Sequence, residues 1–178
     1  MLKILAIGAS NSKKSINKKF ASYTANLIEN AEVTIVDLND YPLPIYGIDL
    51  EQEKGIPENA RKFSEQIKNA DGIILSLAEH NSNFSSVFKN LTDWISRMEG
   101  KIWQEKNILL LSTSPGGRGG ASAMQIALGS FPYAGAQISS HFSLPKFYEN
   151  FTDSGISDSE LNSKYLEAVA TFQKSISK

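Results

Sequence analysis

Three stretches of this chain concentrate the groups that bind a ligand: Gly8–Asn17, Ala78–Asn83 and Ser112–Gly120. The first reads Gly8-Ala9-Ser10-Asn11-Ser12-Lys13-Lys14-Ser15-Ile16-Asn17. It follows an apolar run, Leu2 to Ile7, and precedes a segment in which Ile16, Phe20, Tyr23 and Leu27 share one helical face. A strand-to-helix turn of this kind presents free N–H groups and the positive end of a helix dipole, which suits a phosphate. Ser10, Ser12, Ser15 and Asn17 could add side-chain donors, with charge from Lys13 or Lys14. The same residues also suit a simpler task, with Ser12 or Ser15 capping the helix.

The second stretch, Ala78-Glu79-His80-Asn81-Ser82-Asn83, packs an acid, an imidazole, two amides and a hydroxyl into six residues. Such a set can meet both donor and acceptor edges of a flat heterocycle. As a plain turn it would offer Ser82 or Asn83 as a helix cap. The third, Ser112-Thr113-Ser114-Pro115-Gly116-Gly117-Arg118-Gly119-Gly120, has four glycines in five positions and lets backbone approach a ligand closely. Arg118 could reach a phosphate, a ligand carbonyl or a second subunit. A flexible turn is the plain alternative.

These stretches need elements to position them. Strands are expected at Lys3–Gly8, Glu32–Asp37, Gly72–Leu77, Asn107–Ser112 and Ala136–Phe142. The first, third and fourth are nearly continuous in Ile, Leu and Ala, as in a parallel sheet covered on both faces. Helical stripes lie between them: Ala60, Phe63, Ile67 and Ala70, then Phe84, Val87, Phe88, Leu91, Trp94, Ile95 and Met98. The last carries Leu161, Tyr165, Ala168, Val169, Phe172 and Ile176, with Ser157 and Glu160 as a capping box. Alternation of this kind predicts a doubly wound α/β fold, with five parallel strands in the order 2-1-3-4-5 and helices on both faces. Residues 1–178 read as a single domain. In that order the loops after strands one, three and four converge, and each is one of the three unusual stretches.

Composition narrows the classes. A net charge of −1 argues against nucleic-acid or anionic-membrane partners. No apolar run approaches a membrane span, and no signal pattern opens the chain, so a cytoplasmic protein is the expectation. With no cysteine and only His80 and His141, neither a thiolate nor a histidine-rich metal site is expected. No dinucleotide Gly-x-Gly-x-x-Gly pattern follows the first strand, and no phosphate loop of the GxxxxGK[ST] type occurs. The connections Asn39–Ile56 and Ser143–Ser157 mix proline with aromatics and could shape a site or a subunit contact.

An anionic end for the first loop and a flat polar body between the other two describe FMN. The residues resemble the NADPH-dependent FMN reductase family of flavodoxin-like proteins, which includes FMN, azo-dye, quinone and chromate reductases. The family's Pro-Glu-Tyr-Asn loop reads here Ala78-Glu79-His80-Asn81, and its Leu-Lys-Asn-Ala-Ile-Asp-Trp helix reads Phe88-Lys89-Asn90-Leu91-Thr92-Asp93-Trp94. Ser10 and Ser15-Ile16-Asn17 match its first loop, and Leu43-Pro44-Ile45-Tyr46 matches its Leu-Pro-x-Tyr segment. Ser114–Gly120 matches its Gly-rich loop. The likeness runs from about Lys3 to Gly120. The usual first-loop arginine is missing, the loop is one residue longer, and Lys13 or Lys14 stands in for the charge.

The resemblance implies a flavoprotein that takes hydride from NADPH or NADH and passes electrons to a small acceptor, with no catalytic side chain required. It implies phosphate contacts from Ser10, Ser12, Ser15, the Ile16 N–H and Asn17. Ring and ribityl contacts would come from Glu79, His80, Asn81, Ser82 and Asn83. Ser114, Gly116, Gly117, Arg118 and Gly119 would form the other flank. His80 could donate to the reduced ring or simply pack, Asp93 reads as a structural partner, and His141 reads as structural. A homodimer or homotetramer is implied, through Asn39–Ile56 and the Glu79 loop. The alternatives are a flavodoxin-type electron carrier and a flavin-free interaction protein.

Overall fold

The computed structural model describes residues 1–98 and 100–177. Five parallel strands form its centre: β1 (Leu2–Ala9), β2 (Ala31–Val36), β3 (Gly72–Leu77), β6 (Asn107–Thr113) and β7 (Gln137–Leu144). Their order, β2-β1-β3-β6-β7, is the 2-1-3-4-5 arrangement that the sequence predicts. The central strands are buried on both faces, which is why their runs are continuously apolar.

Alternate residues of the same strands feed two cores. Leu5, Ile7, Ile73, Leu75, Ile108 and Leu110 pack on one side under helices α3 (Glu58–Asn69), α4 (Ser86–Ile95) and α5 (Ala121–Ser130). Ile4, Ala6, Ile74, Leu109 and Leu111 pack on the other, under α1 (Ile16–Ala25) and α7 (Ser159–Ile176). Phe20 anchors α1 there, with its ring against Phe142, Phe151 and Tyr165.

Several expectations shift. Helix α1 ends at Ala25, so Leu27 falls in the turn that follows and is exposed. Phe84 is not helical, because Ser85 caps α4 by accepting from the Phe88 N–H. Helix α7 is capped by Asp158, whose carboxylate accepts from the Leu161 N–H, and Ser157 bonds the Glu149 carbonyl instead. The proline-aromatic connections carry structure of their own. The first holds α2 (Ile48–Lys54), and the second holds α6 (Phe147–Asn150) with a small hairpin of β8 (Phe151–Thr152) and β9 (Gly155–Ile156). His141 lies exposed on the edge strand β7. Among the described residues, no helix is long and apolar enough to cross a membrane, and no cluster of His, Asp and Glu could hold a metal.

Candidate functional site

The carboxyl ends of β1, β3 and β6 open into one cleft of about 220 Å³. Its walls are Ser10, Ser12, Lys14, Ser15, Ile16, Asn17, Ala78, Glu79, His80, Thr113, Ser114, Pro115 and Tyr148. Residues from all three stretches therefore meet where the strand order reverses, the usual binding place of this fold class.

The first loop wraps the start of α1. Ser15 caps the helix, its hydroxyl accepting from the Lys18 N–H at 3.0 Å. The N–H groups of Ile16 and Asn17 have no acceptor among the described residues, as expected for a first turn. Ser10 is nine-tenths buried; its hydroxyl accepts from the Ser12 N–H at 3.1 Å and keeps its own proton free. One hydroxyl thus caps the helix, and the remaining donors line the cleft.

Asn17 is spent inside the protein. Its Nδ2 donates to the Thr113 carbonyl at 3.1 Å, while Oδ1 accepts from the Thr113 N–H at 3.1 Å and from Ser76 Oγ at 2.7 Å. One amide thus ties α1 to the ends of β3 and β6. Only its backbone N–H remains for a ligand.

Behind the loop, Lys18 pairs with Asp37 at 2.5 Å, and Asp37 also accepts from the Asn39 N–H at 2.9 Å and from Asn39 Nδ2 at 2.7 Å. Asn39 Nδ2 in turn donates to the Asn11 carbonyl at 3.1 Å, so the end of β2 braces the loop. The Lys18 ammonium, followed by the Asn39 bonds, holds the Asp37 carboxyl at about 2. A depressed folded value contributes stability above the unfolded pKa, and that contribution fades as pH falls from about 4 towards about 2. The pair is partly exposed, so Asp37→Asn should cost about 1 kcal/mol at pH 7. Thermal melts should show the gap closing as the pH nears 2; a gap independent of pH would refute the ion pair's role.

On the opposite wall, β4 (Glu79–His80) and β5 (Asn83–Phe84) form a hairpin with Asn81 and Ser82 at φ 51° and 61°. Two consecutive left-handed residues match the strand twist of a tight hairpin. His80, Asn81, Ser82 and Asn83 are exposed. Glu79 turns inward, and one carboxylate oxygen accepts from the Ser122 and Ala123 N–H groups at 2.8 and 3.2 Å. It caps the positive end of α5 and ties the hairpin to the Gly-rich loop. Spacing along the chain carries no sign of this pairing, since its partners lie 43 and 44 residues away.

In the Gly-rich loop the glycines divide into two kinds. Gly119, at φ 58°, would place a Cβ 2.8 Å from the Leu144 backbone, so the fold itself demands glycine there. Gly116 and Gly117 are exposed, and a Cβ there would meet nothing closer than Ser114 Oγ at 3.8 Å. Arg118 donates to Ser122 Oγ at 2.8 Å. Gly116, Gly117, Arg118 and Gly119 lie beyond the cleft walls, as do Asn81, Ser82 and Asn83 at the hairpin tip. Tyr148, from the second proline-aromatic connection, is the wall residue that motif reading passed over.

Residues 2–149 match the family profile described as NADPH-dependent FMN reductase. The chain belongs to that family. Among its curated relatives are a 2-hydroxy-1,4-benzoquinone reductase of Burkholderia, 36% identical over 68% of this chain and 66% of its own length. A quinone reductase of Escherichia coli is 34% identical over 54% of this chain and 49% of its own. The chain thus spans about half to two thirds of the relatives it matches. Among solved structures, the FerB flavoenzyme NAD(P)H:(acceptor) oxidoreductase of Paracoccus denitrificans superposes with a TM-score of 0.75 at 25% identity, covering 99% of this family member and 97% of FerB. An FMN-dependent NADH-azoreductase of Bacillus anthracis in complex with FMN shares the fold, with a TM-score of 0.64 at 16% identity over 99% of this chain and all of that one.

Proposed function

We propose that this chain is an FMN-dependent oxidoreductase using NADPH or NADH to reduce a small acceptor of the quinone or flavin class. The observation that carries this reading is the meeting of three loops in one cleft whose floor offers unpaired donors. The donor set fits a phosphate: the N–H groups of Ile16 and Asn17 and the free proton of Ser10, with Ser12 and Ser15 beside them. Glu79, His80 and Ser114 would wall the ribityl chain and the near edge of the ring. The ring would extend toward Asn81, Ser82 and Asn83 on one side and Gly116, Gly117, Arg118 and Gly119 on the other. Glycine at 116 and 117, where the fold has room for a side chain, supports close approach of a flat group.

The chemistry FMN supplies when bound is acceptance of hydride from a nicotinamide and delivery of electrons to an acceptor. The chain's part is to hold the phosphate, fix the ring edge by hydrogen bonds and leave a ring face open. Glu79 spends one carboxylate oxygen on the α5 N-terminus and so positions the hairpin. Relatives named as quinone reductases support the acceptor class. Ile45 and Ile48, both exposed on the Asn39–Ile56 connection, support self-association as a dimer or tetramer.

The test is reconstitution. Purified protein with FMN should retain flavin absorbance after desalting, bleach with NADPH or NADH, and turn over a benzoquinone, with light scattering reading a dimer or tetramer. Gly117→Ala should leave the melting temperature unchanged and weaken FMN binding. Bleaching without turnover would favour an electron carrier; no flavin binding would refute the reading.

A further inference from the structure

We propose that Lys14 and Tyr148 complete the anion end of the cleft and hold the FMN phosphate from opposite walls. The inference rests on the FMN reading above and assigns the charge that the first loop lacks in the form of an arginine. Four lysines surround the start of α1, and three have other places. Lys18 pairs with Asp37, and Lys19 pairs with Asp153 at 2.8 Å and sits 5.7 Å over the Phe151 ring. Lys13 borders the outer side of α1, as Lys14 also does, but is not among the cleft walls. Lys14 lines the cleft and has no carboxylate partner among the described residues. The acidic wall residue, Glu79, spends one carboxylate oxygen on the α5 N-terminus and makes no ion pair with Lys14. An anion entering here meets a wall lysine that has no carboxylate partner among the described residues.

Tyr148 is brought to the cleft wall from a different segment, by a specific backbone device. Lys146 adopts φ 47°, an uncommon left-handed conformation for a lysine, and turns the chain from β7 into α6. The turn is locked to the Gly-rich loop: the Lys146 N–H donates to the Gly116 carbonyl at 2.9 Å and the Phe147 N–H to the Ser114 carbonyl at 3.0 Å. Phe147 is buried and stacks on Phe151 at 4.8 Å. Tyr148 is nevertheless 73% exposed, packed edge-on against Phe147, and its hydroxyl has no partner among the described residues. The phenol thus stands exposed on a backbone that is already fixed. Its cost of ordering on binding is small because only two side-chain torsions remain to be fixed.

FMN and riboflavin differ by the phosphate alone, so their comparison isolates this end of the site. Flavin fluorescence quenching would be titrated with apo protein of the parent, Lys14→Ala, Tyr148→Phe and Lys13→Ala. Loss of one charge-assisted contact should weaken FMN binding about tenfold for Lys14→Ala and about fivefold for Tyr148→Phe. Riboflavin binding should stay within about twofold for both, and Lys13→Ala should match the parent. Unchanged FMN affinity in Lys14→Ala and Tyr148→Phe, with a parent that still prefers FMN to riboflavin, overturns the inference and leaves the FMN reading standing. Equal losses for FMN and riboflavin also overturn it, moving these residues to the ring. A parent that binds neither flavin refutes the FMN reading itself.

Discussion

Replacing Gly8 with alanine should destabilise the protein by at least about 3 kcal/mol, the range of core overpacking against backbone. The added Cβ would stand 2.4 Å from the Lys18 Cα and backbone N and 2.7 Å from its Cβ. Neither side can yield cheaply. β1 is hydrogen-bonded between β2 and β3, and α1 is anchored by Phe20 in an aromatic cluster and by Asn17 in the sheet. For a chain of this size each kcal/mol lowers the melting point by roughly 2–4 °C, so a fall of roughly 6–12 °C is expected by circular dichroism. The functional loss should follow the structural one. Any shift of α1 away from β1 carries the Ile16 and Asn17 N–H groups out of register with Glu79 and Ser114, and FMN affinity should drop. A Gly8→Ala protein that melts with the parent would disprove the close approach.

How far the site could be read beforehand depended on whether a signal lay in one segment or between two. Strand positions came within one or two residues because a doubly covered parallel strand needs a continuous apolar run, as in Ile73-Ile74-Leu75. The strand order followed from the same logic, and with it the convergence of the three loops. Pairings across the fold were not legible. Ser-x-Asn reads as a ligand-facing motif, yet the Asn17 side chain meets Thr113, 96 residues away. Glu79 reads as part of a recognition loop, yet its carboxylate closes a helix that begins at Ala121. In the Gly-rich loop, composition marks all four glycines alike, and only the positive φ of Gly119 and Gly120, with Leu144 and Ser112 close by, separates the two the fold requires from the pair that is free. Tyr148 carried a faint signal, its place in a proline-aromatic connection, but its aim depends on the Lys146 turn. Local chemistry shows in composition, whereas the burial of a polar group shows only in the company it keeps.

Asn17→Ala is the second large effect, and it separates positioning from contact. The side chain is 4% exposed and makes three hydrogen bonds. Truncation leaves the Thr113 N–H and carbonyl, and the Ser76 hydroxyl, without partners in a dry interior. At roughly 1–3 kcal/mol for each unsatisfied buried group, with Ser76 free to rotate, the expected loss is about 3–5 kcal/mol. Asn17→Asp should be instructive beside it. The substituted carboxylate keeps the acceptor for Ser76 and the Thr113 N–H but sets a second oxygen against the Thr113 carbonyl. Burial and that contact raise its pKa, so protonation restores the donor, and the variant should gain stability relative to the parent as pH falls below neutrality. Thermal melts of both variants across pH measure this directly; an Asn17→Asp penalty that does not shrink at low pH would show that the amide donor is unimportant. Because that side chain holds the α1 N-terminus against β3 and β6, Asn17→Ala should lose FMN affinity together with stability. Lys14→Ala should weaken FMN binding with no change in melting temperature. Melting temperature read beside FMN affinity therefore distinguishes a residue that keeps α1 in register with two strand ends from one that meets the phosphate, within one cleft.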